Sequence, residues 1–101
     1  MTKGYVIFTE QIHDRDGMNA YGAKSFPTMM NAGGRLLVAD DGAEVLEGEW
    51  PGSRTVIVEF DSVKAARAWY RSPAYRATIP LRQAAADASV VIVTGFAIPA
   101  G

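Results

Sequence analysis

One hundred and one residues, 49% of them hydrophobic and 21% charged, suit one folded domain over residues 1–101 and exclude a disordered chain. Ten Lys/Arg against eleven Asp/Glu leave a net charge of −1, so no global field draws nucleic acid or anionic lipid. No cysteine and a single histidine exclude disulfides, thiolate nucleophiles and a multi-histidine metal site in one chain; neither metal nor cofactor is expected.

Behind Met1 there is no apolar signal core, and no membrane-length apolar run follows, so a cytoplasmic protein without membrane contact is expected. Gly4 to Ile12 is β-branched and aromatic and predicts the first strand. Asp14 or Asp16 can cap a helix to residue 31, along which Met18, Tyr21, Ser25, Phe26, Met29 and Met30 recur at helical spacing. Pro27 should kink it, and Gly33-Gly34 should stop it. Arg35 to Ala39 reads as a second strand, and Glu44 to Glu47 as a short extra one.

Trp50-Pro51-Gly52-Ser53 predicts a type II turn, with proline and glycine at its central positions. Thr55 to Phe60 is the clearest strand. Asp61 or Ser62 caps a helix with Val63, Ala66, Trp69 and Tyr70 on one face, and Ser72-Pro73 restarts a turn of helix. Pro80 should split off Leu81 to Ala86, and Ser89 to Ile98 predicts the last strand. The order β-α-β-(β)-β-α-β is an α+β, ferredoxin-like βαββαβ arrangement with an antiparallel sheet.

Residues 5–8, 56–58 and 90–93 are continuous apolar runs. A sheet with one wet face alternates instead, and two helices cover only one face of four strands. A second copy of the same sheet is the simplest cover for the other, so a homodimer is expected.

Gly4-Tyr5-Val6-Ile7, Gly33-Gly34-Arg35, Leu46-Glu47-Gly48-x-Trp50, Val58-Glu59-Phe60, Ala65-Ala66-x-x-Trp69-Tyr70-x-Ser72-Pro73-x-Tyr75 and Leu81-Arg82 follow in one order. That string resembles the domain-of-unknown-function 1330 family of the dimeric α/β-barrel superfamily over residues 4–95. The resemblance implies a ferredoxin-like fold whose sheets pair into a barrel across a dimer, and it implies no established activity. Its superfamily includes cofactor-independent monooxygenases, small-lactone isomerases and ligand-sensing modules.

Five residues are candidates for ligand binding. His13 ends the first strand, where an imidazole could serve as a general base; a solvated loop histidine is the plainer reading. Glu59 interrupts an apolar strand and needs a partner, for which Arg35 is the natural bidentate donor. If both were buried, losing Arg35 alone would cost about 3–5 kcal/mol. The pair could orient a ligand or simply brace a dimer. Thr55, Ile57 and Glu59 would share a more polar face with Tyr5, Ile7, Thr9 and Gln11, leaving Val56, Val58 and Phe60 to meet the helices. Glu47 and Trp50 could grip a small polar aromatic or carbonyl compound, or pack at a dimer seam.

Trp69, Tyr70 and Tyr75 read as core and interface, and Arg67, Arg71, Arg76 and Arg82 as a solvated face. An RNA-recognition strand would need aromatic residues where Thr55 and Ile57 stand, so nucleic acid is not expected. Together these features predict a homodimer that binds a small organic molecule in a cleft between sheet and helices. A cofactor-independent isomerase or monooxygenase-like enzyme, or a structural or stress-associated interaction protein, are the alternatives.

Overall fold

The computed structural model describes residues 2–97. Its elements are β1 (Gly4–Ile12), α1 (Arg15–Asn31), β2 (Arg35–Asp40), β3 (Arg54–Phe60), α2 (Val63–Arg71), α3 (Pro73–Arg76), α4 (Ile79–Ala85) and β4 (Ala86–Thr94). All strand pairs are antiparallel, in the order β2-β3-β1-β4. This is the ferredoxin-like arrangement. The helices cover one face of the sheet, over Val6, Phe8, Val58 and Phe60.

Local chemistry sets the element ends. The Asp14 carboxylate accepts from the Gly17 N–H, and the Ser62 hydroxyl from the Ala65 N–H, so both long helices start on a side-chain cap. α1 runs through Pro27 to Asn31. It stops where Gly33 turns left-handed at φ 80°, with the Gly33 N–H bonded to Met30 O and the Gly34 N–H to Met29 O. The chain bends at residues 51–53, where the turn is expected. Gly52 takes φ 79°, and the Ser53 N–H donates to Glu10 O, which ties the turn to the end of β1. A Cβ on Gly52 would stand 2.5 Å from the Glu10 carbonyl carbon, so close approach and conformation both demand glycine.

Three expectations are corrected. Residues 44–47 form no strand. They lie beyond β2 at the sheet edge, where no further strand among the described residues completes a ladder, and Gly48 at φ 73° breaks the extended run. The split expected at Pro80 falls earlier: α3 ends at Arg76 and α4 begins at Ile79, with Pro80 in its first turn, where a missing N–H leaves no bond unmade. β4 starts at Ala86 rather than Ser89, because Gln11 and Ile12 of β1 pair with Asp87 and Ala86 and impose extension on residues of low strand propensity. It ends at Thr94, and Ile98 lies outside the described residues.

The core under the helices is an aromatic stack. The Trp69 ring lies 4.1 Å from Tyr75 and 5.3 Å from Phe60, centroid to centroid. Tyr21 and Tyr75 share a hydroxyl–hydroxyl hydrogen bond of 2.7 Å. Trp69 and Tyr75 are thus core, as their spacing predicts. Arg82 is not part of a solvated face: it is 4% exposed, while Arg67, Arg71 and Arg76 stay in solvent. Its guanidinium carbon lies 5.7 Å from the Phe8 ring centroid and 6.0 Å from that of Tyr21. A flat, weakly hydrated guanidinium tolerates such aromatic cover, as an ammonium would not.

Candidate functional site

Side-chain alternation along β1 puts Val6, Phe8 and Glu10 on the helix-covered face and Tyr5, Ile7 and Thr9 on the other. The two faces carry different candidate sites.

On the open face, Tyr5 pairs with Glu59 and Glu59 with Arg35 across neighbouring strands. The Arg35 Nε–H donates to Glu59 Oε1 at 2.8 Å, and the Tyr5 hydroxyl to Oε2 at 2.9 Å. Arg35 also donates to Asp61 Oδ1, as does the Lys3 ammonium, both at 3.1 Å. The Arg35 guanidinium, then the Tyr5 hydroxyl, hold the Glu59 carboxyl below the usual carboxylate range. Lys3 and Arg35 do the same for Asp61. The Arg35 side chain is 44% exposed, so the cost expected for a fully buried pair does not apply to this chain taken alone.

A depressed folded-state pKa contributes stability above the ordinary carboxylate range, and that contribution is lost as pH falls through the folded value. Arg35→Met should therefore move the Glu59 titration upward, toward that of a free glutamate, as followed by carboxyl-carbon NMR. An unchanged titration would show that the contact does not persist in solution.

Glu47 and Trp50 line a shallow groove on this same side with Val38, Asp40 and Thr55, and the Trp50 indole N–H donates to Thr55 Oγ1 at 3.0 Å. His13 is exposed at the end of β1, where its backbone N–H donates to Ala85 O. The structure brings Arg35 to Glu59 and Glu47 to the groove of Trp50, and leaves His13 apart.

Between sheet and helices lies a different cleft, of about 260 Å³. Phe8, Val56 and Val58 form its floor, and Met18, Tyr21, Ser25, Phe26 and Met29 its α1 wall. None of the five sequence candidates lines it. Two charged residues do, Glu10 and Arg54, directly opposite each other on β1 and β3.

The Glu10 side chain is 3% exposed, and its Oε1 is 3.8 Å from Arg54 Nε, too far for a hydrogen bond. Arg54 Nε stands equally far from Asp41 and, though buried, has no hydrogen-bond partner among the described residues. Burial pushes the Glu10 carboxyl above the usual range, Arg54 and then Arg82 pull it back, and Asp41 adds to the rise. A buried carboxyl held by an ion pair at 3.8 Å, with no hydrogen bond to complete it, is costly in a purely structural role. Facing a cavity, it is available to a ligand.

Sequence reasoning missed Glu10 and Arg54. The signal was present: once Tyr5, Ile7 and Thr9 are given to one face, parity alone puts Glu10 beneath the helices.

Residues 3–96 match the family described as Domain of unknown function (DUF1330). A protein of unknown function from Rhodopseudomonas palustris has a similar structure (TM-score 0.78, 22% identity), covering 96% of this chain and 85% of that one. So does SnoaB, a cofactor-independent oxygenase from Streptomyces nogalater, at TM-score 0.69 and 11% identity over 97% of each chain. A dimeric ferredoxin-like protein of unknown function from Thermobifida fusca aligns at TM-score 0.54 and 15% identity, over 91% of this chain and 90% of that one. At these identities the likeness shows the shared fold alone. No curated protein matches the sequence.

Proposed function

We propose that this chain, which belongs to the family described as domain of unknown function (DUF1330), works as a homodimer that binds a small organic molecule between sheet and helices. One observation carries the ligand reading: an apolar cleft of about 260 Å³ contains a buried carboxyl to which no protein group hydrogen-bonds among the described residues. Sites for small molecules have this make-up, apolar walls with few convergent polar groups. The ligand class it fits is a largely apolar, ring-sized compound with one hydroxyl or carbonyl group turned toward Glu10 and Arg54.

The dimer reading rests on the open face. Val38, Val91 and Val93 stand exposed there, and the loop after β2 exposes Val45, Trp50 and Leu46, the last to 84%. The protein is only 15 Å across its shortest axis, one sheet with one helical layer. An apolar face of this kind marks an interaction site. Pairing of two open faces would cover it, and the dimeric neighbour from Thermobifida fusca makes such pairing a natural use of the fold. Arg35, Glu59, Glu47 and Trp50 would then brace the seam. The cytoplasm is the proposed location, since nothing in a cysteine-free chain calls for an oxidising compartment.

The ligand reading is tested by fluorescence. Of the two tryptophans, only Trp69 lines the cleft, so a Trp50→Phe variant reports on that cleft alone. Titration with bicyclic aromatic alcohols and ketones should quench Trp69 saturably, with native mass spectrometry showing one molecule per chain. No quenching by any member of the set would remove the proposal.

A further inference from the structure

We propose that the cleft is an acid–base site for carbonyl compounds that can enolise, with Glu10 as the proton carrier and the Arg54 guanidinium as the group that holds the oxygen. The inference rests on the ligand reading above and adds to it a reaction.

The geometry argues for it in three steps. First, Glu10 is placed by β1 at the cleft floor with no hydrogen bond to its carboxyl among the described residues, whereas the other carboxylates of the sheet, Glu59 among them, are held by hydrogen bonds or stand in solvent. A base must keep an open lone pair to accept a proton. Second, Arg54 is its cross-strand partner and forms an ion pair with it at 3.8 Å without a hydrogen bond, so the two groups stand side by side at the cleft. A carbonyl oxygen and the carbon next to it are separated by only two bonds, so one enolisable unit can meet both groups. Third, the walls are apolar, which strengthens the attraction of the guanidinium for charge developing on the oxygen.

The step balances without an added oxidant or reductant. As a carboxylate, Glu10 removes a proton from the carbon beside the carbonyl. The C–H electron pair becomes the new C–C π bond, and the carbonyl π pair moves onto oxygen, facing Arg54. The acid form of Glu10 then trades its proton with solvent water and delivers the solvent-derived proton to the same carbon, which completes exchange, or delivers its proton to a conjugated carbon, which completes a 1,3-shift. Either regenerates the carboxylate.

Four charged or titratable groups face Glu10: Arg54 from β3, Arg82 from α4, Asp41 from the loop after β2, and Tyr21 from α1. Burial and Asp41 favour the acid form and the two arginines the base form. Both forms are needed in turn, and a carboxyl raised out of its ordinary range supplies them closer to neutrality.

The probe is 2-tetralone, bicyclic, apolar and enolisable. Proton NMR in D2O follows loss of its C1 hydrogens, while Trp69 quenching in the Trp50→Phe background follows binding. Wild-type exchange should be saturable. Glu10→Gln should reduce it at least about a hundredfold with quenching retained, since positioned acid–base groups contribute about 10²–10⁴-fold. Glu10→Asp should recover part of the rate, and Arg54→Lys should lose about tenfold.

Should Glu10→Gln fail to fold, the wild-type pH profile decides. It should rise to a plateau through an inflection above the ordinary carboxylate range, and a flat profile would overturn the inference. So would 2-tetralone that binds but exchanges no faster than with Glu10→Gln, or that fails to bind a cleft other bicyclic compounds occupy. Absence of quenching by every compound counts instead against the ligand reading beneath it.

Discussion

Tyr75→Ala is expected to destabilise the protein by about 3–5 kcal/mol, the range for removing a buried aromatic ring. Tyr75 is fully buried, with its ring against Trp69 and its hydroxyl on Tyr21. Truncation leaves a cavity under α2 and α3 and an orphaned Tyr21 hydroxyl beside the buried Arg82. A domain of this size holds only about 5–15 kcal/mol in all. Tyr75→Phe keeps the ring and should cost about 1–2 kcal/mol, most of it the unpaired hydroxyl. Urea unfolding curves separate the two. Similar midpoints for both variants would contradict the packing described here.

A second large effect is expected at the open face. Val91 is 51% exposed in the single chain, so Val91→Asp should leave the monomer folded. In a dimer built on paired open faces the same substitution buries one unpaired charge per chain, twice by symmetry, at about 3–5 kcal/mol each. The dissociation constant should rise at least about a thousandfold. Light scattering should give twice 10.9 kDa for the wild type and 10.9 kDa for the variant at micromolar concentration. A wild type that is already monomeric there, or a variant that stays paired, would remove the dimer reading.

The fold was legible because strands, caps and turns are written in local chemistry. Asp14, Ser62 and Gly33 each act within a few residues of themselves, and the structure uses them as read. Residues 44–47 misled because strand formation needs a neighbour, which β-like composition does not reveal. Ala86 to Ala88 misled in the opposite direction, since β1 supplies a neighbour to residues with no strand preference.

The site was less legible. Reading chemistry from residue type favoured Glu59, an acid between apolar neighbours, and passed over Glu10, which sits in a polar stretch beside Gln11. Yet Glu59 is served by Arg35 and Tyr5 at hydrogen-bond distance, while Glu10 is the one left open to a cleft. Arg82 was misread for a similar reason. Four arginines spread over α2, α3 and α4 look like one solvated face until the tertiary fold lays Arg82 across Phe8 and Tyr21.

The central claim is that a small molecule occupies the cleft between α1 and the sheet, and Gly22 gives the most direct test. It lies in α1 on the cleft wall, and a Cβ built there meets nothing within 4 Å. Replacing a helical glycine should therefore stabilise α1, by up to about 1 kcal/mol, while a leucine side chain fills the space a ligand needs. Melting temperature and Trp69 quenching are measured together on Gly22→Leu in the Trp50→Phe background. The account predicts an unchanged or higher melting temperature with at least about tenfold weaker ligand binding. A well-folded Gly22→Leu protein that binds as tightly as its parent would contradict it.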